Sequence, residues 1–339
     1  MSFVLVGHGN SLPTDNVYRI AALLNGRTPH FSYSTPADPV TTGEPVTVTS
    51  ATEFNNAADD AGTRIWIPSS FTGNIQVTAN DIDVTMANSA TINGDLRLGN
   101  GSYINRLRWT GGNVGRIVGD RFRDVLFDDV YALAYSNVQD AIIEHNFSSG
   151  WDGSGNPAFD RLAIINSTLE LQGSPTQADN QKRWALHTSQ SYEHTNLILA
   201  NAKFLSNHQT VRIQHVSGLL IVDSVFNPNG TAVNGMRIHY GTNNVWIKDS
   251  WSRDLFKLDA AGAEAGPSVT NALFDNYDRY DNDDNYAFHG SMANTGEIRN
   301  STFYGGTLNY GPLENGGGNA SSSWDGTTVP DYSTVGAIR

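Results

Sequence analysis

The chain has 339 residues, of which only 16% are charged, and its formal net charge at pH 7 is −13. It contains no cysteine, which excludes disulfides and thiolate metal sites. An acidic chain lacks the basic footprint that nucleic-acid phosphates require, so we expect no nucleic-acid partner. The seven Trp, 13 Tyr and 14 Phe provide enough apolar ring surface for a packed core.

The N-terminal region does not look like a secretion signal. The apolar run Phe3 to Val6 ends at once at Gly7, and no basic residue precedes it. No stretch approaches the roughly 18 apolar residues of a membrane span. We therefore expect a protein without a membrane span that is extracellular or virion-associated, with an export route other than an ordinary signal peptide. Residues 1–45 contain five prolines and one helix-like piece, and we interpret them as an extension that attaches the protein to virion or oligomer partners.

A short apolar strand that runs into Asn, Asp or Glu recurs along the chain. The polar anchors are Asp128, Glu144, Asn166, Asn201, Asp223, Asp249, Asp275 and Asn300. Their spacing indicates a solenoid with coils of about 20 to 30 residues and variable loops. Asn and Asp tolerate left-handed backbone at tight turns and can bond the neighbouring coil, so we interpret this ladder as structural. Large apolar residues follow several anchors and predict a column of core rings, made of Phe226, Trp251, Tyr277 and Phe303.

A capping helix is predicted before the coils. Ser50-Ala51-Thr52-Glu53 is a capping-box pattern that opens a short helix over the first coil. The expected organisation is an N-terminal extension at 1–45, a cap at 46–62, coils at 63–310 and a flexible Gly- and Ser-rich tail at 311–339.

These residues also carry a resemblance. Val46 to Phe54, followed by Thr63 to Pro68 and Phe71 to Gly73, resembles the opening of pectate-lyase-like β-helix proteins. The resemblance covers roughly residues 46–310 and implies an all-β, single-stranded right-handed parallel β-helix with a short capping helix. That superfamily includes polysaccharide lyases, glycosidases, phage tailspikes and adhesins, so the resemblance implies a polysaccharide partner without choosing an activity. The Arg-x-Pro-x-x-Arg motif of pectate lyases is missing, and so are the Asn-Thr-Asp and Arg-Ile-Lys motifs of polygalacturonases.

A second strand recurs in the later coils with clear alternation. Its copies are Trp184 to His187, Val211 to Gln214, Met236 to His239, Phe256 to Asp259 and Tyr286 to His289. Their first and third members are apolar and predict a core-facing side, so the second and fourth members should face outward. The outward columns are then Ala185, Arg212, Arg237, Lys257 and Ala287, beside His187, Gln214, His239, Asp259 and His289.

The cations of the first column would repel one another unless an anionic ligand lies across them. The alternative is that neighbouring carboxylates neutralise them and the face is simply solvated. For the second column, the alternatives are acid–base chemistry and a solvated polar face. A metal triad of His187, His239 and His289 is excluded because two coils are about 10 Å apart. No metal site is therefore assigned.

Two further patches have alternative interpretations. A patch rich in arginine predicts either a polyanion subsite or a face that bridges coils, and we favour the bridging face. Its members are Arg97, Arg106, Arg108, Arg116, Arg121 and Arg123.

The segment from Asp275 to Tyr286 is rich in oxygen ligands and could hold Ca²⁺. Its spacing is not that of an EF-hand, and a plain acidic loop is favoured. No other cofactor is predicted, and the rings of Trp184 and Trp151 are candidates for stacking on sugars.

The preferred function is binding, and cleavage by β-elimination, of an acidic polysaccharide. Arg212 and Arg237 would neutralise the uronate carboxylate, Lys257 or His239 would be the base, and Tyr240 or His239 the acid. His187, Gln214, Asp259, His289 and Trp184 would bind substrate. The alternative is a non-catalytic phage virion, tailspike or adhesin component that binds surface glycans. A hydrolase is less favoured because outward carboxylate pairs are scarce beyond Asp128, Asp129 and Glu144.

Overall fold

The described strands of this chain form three long faces, which we call face A, face B and face C. The computed structural model describes residues 33–135, 144–145, 159–172, 184–188, 193–206, 209–228, 234–239, 241–253, 256–259, 270–280, 296–305 and 313–323. Every pairing between its strands is parallel. Each strand bonds the equivalent strand of the next coil, which is the arrangement of a parallel β-helix. The predicted fold class is confirmed.

Face A contains the longest run of strands. Four strands bend around a corner and belong to two faces: β7 (Leu96–Thr110) and β9 (Ile117–Asp128) join face C to face A, and β21 (Asn243–Arg253) and β23 (Thr270–Tyr280) join face A to face B. The other strands of face A are β1 (Val46–Thr47), β2 (Arg64–Ile67), β5 (Ile82–Met86), β12 (Phe159–Ile165), β15 (His194–Ala200), β18 (Val216–Val222), β24 (Gly296–Arg299) and β26 (Glu314–Asn315).

Among the described strands, face B follows face A along the chain, and the strands of face C lie between face B and the next strand of face A. The other strands of face B are β3 (Phe71–Thr72), β6 (Ile92–Asn93), β8 (Asn113–Val114), β10 (Tyr131–Tyr135), β13 (Thr168–Gln172), β16 (Lys203–Ser206), β19 (Val225–Pro228), β25 (Thr302–Tyr304) and β27 (Ala320–Ser322). The other strands of face C are β4 (Ile75–Val77), β11 (Glu144–His145), β14 (Trp184–His187), β17 (Gln209–Gln214), β20 (Asn234–His239) and β22 (Phe256–Asp259).

The predicted capping helix is present. Helix α1 (Ala51–Ala57) begins after Ser50, whose hydroxyl accepts a hydrogen bond from the backbone N–H of Glu53 at 3.2 Å. Phe54 is fully buried, and its ring lies 5.7 Å from that of Trp109 in a coil below. The helix therefore closes the N-terminal end of the core, as a solenoid requires. In the described part of the chain, no helix has the length and apolar character needed to cross a bilayer.

The turn from face A to face B is built on left-handed Asn and Asp residues, as predicted. Asn166, Asn201 and Asp223 have φ angles of 52°, 47° and 49°. Nδ2 of Asn201 donates to Oδ1 of Asn166 at 2.9 Å, and Nδ2 of Asn166 donates to Oδ1 of Asp128 at 2.8 Å. The amides thus form a hydrogen-bonded ladder along the solenoid axis. In two coils the predicted anchor is off by one residue. Asp129, not Asp128, has the left-handed backbone, and Asp275 pairs with Lys248 and Arg299, each one residue before the left-handed Asp249 and Asn300.

The predicted column of core rings is partly wrong. Phe226 stacks on Phe204 with a centroid distance of 5.2 Å and nearly parallel planes. The next coil places Ser252, not Trp251, opposite Phe226. Because neighbouring residues of a strand face opposite sides, Trp251 is outside the core column, where it packs in a separate cluster with Val225 and Tyr280.

The middle strands of face A, from β9 to β23, are buried on both of their sides, whereas the outer residues of β2 and β5 are partly exposed. The inner residues of these middle strands belong to the main core, while their outer residues form a separate apolar cluster of Leu126, Ala163, Ile165, Ile198, Ala200, Leu220, Val222, Trp246 and Leu273 with Tyr33. All of these are at most 7% exposed. Strands buried on both sides carry continuous apolar runs, such as Leu219 to Val222, instead of alternation.

Candidate functional site

The predicted row of cations lies on face C. Strand β17 pairs with β20 so that Arg212 is opposite Arg237, and β20 pairs with β22 so that Arg237 is opposite Lys257. Neighbouring strands are about 4.8 Å apart. Three basic residues therefore occupy equivalent positions in three successive coils. The companion row of Gln214, His239 and Asp259 is also in register.

His187 occupies a different place from the one predicted. The register of β14 with β17 puts Leu186 opposite Val211 and His187 opposite Arg212. The prediction placed His187 beside Gln214, two residues further along the strand. Alternation has a period of two, so a shift by two residues keeps the apolar pattern and cannot be detected from it. His187 consequently heads the row that continues as Arg212, Arg237 and Lys257, and Ala185, predicted to face outward in that row, is fully buried.

Gln214 holds the imidazole of His187 from the neighbouring coil. Its Nε2 donates to the carbonyl oxygen of Thr188 at 3.2 Å and lies 3.1 Å from Nε2 of His187. The Thr188 carbonyl sets the orientation of the amide, because only the NH₂ end can donate to it. In that orientation Nε2 of His187 accepts the second hydrogen bond, which leaves the N–H of a neutral ring on Nδ1. Gln214 itself, which we expected to be outward and open, is fully buried.

Trp184 lies beneath Arg212. The guanidinium carbon is 6.0 Å from the centroid of the indole ring, within the range of a cation–π contact. The ring is only 1% exposed, so in this conformation it does not offer a platform for a sugar. The arrangement instead supports the planar head group of Arg212, which is half-buried.

The structure gives less detail for the remaining predicted site residues. Lys257, His239 and Asp259 are located by their strands, in the register given above. Tyr240 and His289 lie outside the described residues, as does Trp151. Face C therefore brings together the described side chains of His187, Arg212, Gln214 and Arg237. Strand pairing places Lys257, His239 and Asp259 on the same face.

The second arginine patch is a coil-bridging face. Four of its arginines pair with aspartates: Arg106 with Asp81, Arg108 with Asp38 at 3.7 Å, Arg116 with Asp95 at 2.7 Å, and Arg123 with Asp160 at 3.2 Å. These carboxylates offset most of the charge that a polyanion would need. The structure thus supports the bridging interpretation that the sequence favoured for this patch.

The proposed Ca²⁺ segment is only partly described. Asp275 accepts hydrogen bonds from Arg299 at 3.0 Å and Asn300 at 2.9 Å. Burial acts to raise the pKa of Asp275, but the hydrogen bonds from these two donors and the charges of Arg299 and Lys248 hold it below its usual value. Asp278 accepts from the backbone of Thr302, and residues 281–286 lie outside the described residues. Within the described ranges, no group of three or more His, Cys, Asp and Glu side chains could hold a metal ion.

Comparison with known proteins adds evidence on the fold. No protein-family model and no curated protein sequence matches this chain. An alginate lyase from Paenibacillus sp. str. FPU-7 superposes with a TM-score of 0.51 and 14% identity, over 82% of this chain and 97% of the lyase. At this identity, the similarity shows a shared fold.

Two more solved structures have lower scores. The A-module of the mannuronan C-5 epimerase AlgE4 from Azotobacter vinelandii has a TM-score of 0.30 and 9% identity, over 85% of this chain and 95% of the module. The surface protein and adhesin PfbA from Streptococcus pneumoniae has a TM-score of 0.23 and 8% identity, over 80% of this chain and 92% of that chain.

Proposed function

We propose that this protein binds an acidic polysaccharide along face C and cleaves it by β-elimination. The observation that carries the proposal is the register that stacks Arg212, Arg237 and Lys257 in successive coils, with His187 at the head of the row. A polyuronate is a chain of regularly spaced carboxylates, and such a ligand complements a line of regularly spaced cations. One protein with this fold is an alginate lyase, so the fold is compatible with this chemistry.

Each residue of the row has a role in the proposed reaction. Arg212 and Arg237 bind and neutralise the carboxylate at C6, which makes the C5 proton easier to remove. Lys257 or His239 takes that proton. The C5–H electrons form the C4–C5 double bond, the C4–O bond breaks, and the leaving oxygen receives a proton from Tyr240 or His239. Atoms and charges balance without any oxidant or added cofactor.

His187 and Trp184 would assist without taking part in proton transfer. With its Nε2 held by Gln214, His187 would contact a sugar oxygen at the head of the row. Trp184 supports the guanidinium of Arg212 from below, which limits the orientations that this side chain can adopt. His289 and Asp259 remain proposed substrate contacts on the same face.

The test is incubation with a panel of alginate, polygalacturonate, hyaluronan, chondroitin and capsule glycans, with and without Ca²⁺. A lyase creates a C4–C5 double bond at each new non-reducing end, so ultraviolet absorbance rises while viscosity falls. New reducing ends without that absorbance would show that the protein cleaves by hydrolysis instead of elimination. Binding without any new chain ends would show that the protein is a non-catalytic, glycan-binding virion or adhesin component.

Matched variants locate the activity on face C. Lys257→Ala should abolish cleavage if Lys257 is the base, and a surviving rate would assign that role to His239. Lys203→Ala on face B removes the same charge and should leave cleavage unchanged. Arg212→Gln with Arg237→Gln should weaken retention on the glycan, and Arg64→Gln, an exposed arginine of face A, should not. If the Arg212 and Arg237 double variant binds the glycan as well as Arg64→Gln does, the site is not on face C.

A further inference from the structure

Residues 33–45 run along the outside of face A, across its strands. Tyr33 Oη donates to the backbone carbonyl of Asn244 at 3.1 Å, and the backbone N–H of Val40 donates to Oδ1 of Asp81 at 2.8 Å. Asp81 and Asn244 stand at the two ends of a second left-handed ladder, where face C turns into face A. Its members are Asp81, Arg106, Asp124, Arg161, Asn196, Gly218 and Asn244. The segment therefore crosses the coils that these residues define.

The hydrogen bonds to this ladder recur at every third residue of the segment. The backbone N–H groups of Ser34, Ala37 and Val40 donate to side-chain oxygens at 2.9, 2.9 and 2.8 Å. The acceptors are Asn196, Asp124 and Asp81, which occupy every second coil. Three residues of polyproline II rise about 9.3 Å, and two coils span about 9.6 Å. The two repeats match closely enough to stay in register along the groove.

Between the three donors of this segment, two of the residues that do not donate a backbone hydrogen bond to the ladder are prolines. Pro36 and Pro39 each precede a donor, Ala37 and Val40. Proline fixes φ near the polyproline II value and has no N–H to satisfy. The segment is thus preorganised for this groove by its own sequence.

The intervening coils hold the acceptors in place. Arg161 donates to both carboxylate oxygens of Asp124, with Nη2 3.0 Å from Oδ2, and Arg106 makes the same two-pronged contact with Asp81. Both arginines have left-handed backbone, with φ near 62° and 61°. Each carboxylate therefore receives a guanidinium from the next coil and an N–H from the segment, and both bonds are charge-assisted.

We propose that the ladder from Asp81 to Asn196 is a binding groove for a polyproline II peptide, filled in this chain by residues 34–40. The bound segment acts as a longitudinal clamp. In a solenoid each coil contacts only its neighbours, so coils can separate one interface at a time. A segment bonded to every second coil opposes that opening, and Tyr33, 3% exposed in the outer apolar cluster, anchors one end. The clamp is independent of the function proposed for face C.

Two proline substitutions in the full chain test the clamp. Ala37→Pro removes the N–H bonded to Asp124 and keeps a backbone suited to polyproline II. Asp38→Pro is the control, because Asp38 is exposed and its ion pair with Arg108 contributes little. The expected result is that Ala37→Pro raises the rate of proteinase K cleavage within residues 33–45 by about tenfold, since a charge-assisted bond is lost. Asp38→Pro should stay within about twofold of the unaltered chain.

Site-resolved hydrogen exchange of the unaltered protein gives a second readout. The amides of Ser34, Ala37 and Val40 should exchange at least about tenfold more slowly than those of Thr35 and Asp38. Equal cleavage rates for the two proline variants would overturn the proposal. Protection without this three-residue period would overturn it as well.

Discussion

Asn201 provides a sharp test of the turn between face A and face B. Its backbone φ is 47°, its side chain is 5% exposed, and its Nδ2 donates to Oδ1 of Asn166 at 2.9 Å. Asn201→Gly keeps a backbone that accepts this φ but loses the amide. Asn201→Ala loses the amide and also strains the backbone. The two variants therefore separate the contribution of the ladder from that of the conformation.

The expected magnitudes follow from these contacts. Losing the ladder hydrogen bond and adding glycine flexibility should cost about 1.5 kcal/mol in the free energy of unfolding. Alanine loses the same bond and takes on a left-handed strain, for a total of about 2.5 kcal/mol. At ordinary backbone positions an alanine variant is more stable than a glycine variant. At Asn201 we predict the opposite order, with the glycine variant the more stable.

Thermal unfolding followed by tryptophan fluorescence, with denaturant titration as a check, measures the difference. Each kcal/mol should lower the midpoint by roughly 2 °C in a chain of this size. An Asn201→Ala protein at least as stable as Asn201→Gly would refute the idea that left-handed backbone selects Asn at this turn.

Three more predictions address the core, the clamp and the site. Phe226→Ala should lower the free energy of unfolding by about 3–5 kcal/mol, because Phe226 stacks on Phe204 inside the core, and a denaturant titration would show a much smaller loss if the stack were peripheral. The hydrogen bond from Arg106 holds the pKa of Asp81 below its usual value, so the stabilisation is present above about pH 3.9 and is lost as the pH falls below that value through the lowered pKa. The thermal midpoint of the unaltered chain should thus fall more steeply below about pH 3.9 than that of Asp81→Asn, and parallel curves would contradict this. His187→Ala should weaken binding by about fivefold to the glycan that the panel identifies. Unchanged retention in affinity electrophoresis would show that His187 takes no part in binding and that the binding row begins at Arg212.

Much of the fold could be predicted from the sequence because its signals are local. A turn that needs left-handed backbone selects Asn or Asp, so Asn166 and Asn201 marked the coils. Alternation within a strand showed that Arg212 and Arg237 share a side, and the register agrees. These signals need no knowledge of distant contacts.

The errors concern the register between coils, which the two-residue alternation of side chains along a strand does not fix. His187 was displaced by two residues, which leaves the alternation intact, and Trp251 was placed on the wrong side by one residue after a turn. The burial of both sides of face A does have a signal in the sequence, the continuous apolar run Leu219 to Val222, which departs from alternation. Left-handed backbone at Arg106 and Arg161 had no sequence signal, because arginine rarely adopts it.

The three corners of the coil differ in how much change they tolerate. From face A to face B the chain turns tightly in the middle coils, as in Ile165 to Thr168 and Ala200 to Lys203. Yet residues that hydrogen-bond between successive coils are 21 apart at Asn74 and Asp95 and 37 apart at Asp124 and Arg161. The added length enters on either side of the face C strands, as between Gln172 and Trp184 and between His187 and His194. Evolution or an engineer can therefore graft new loops around face C and change what it recognises, while the stacking of the coils stays as it is.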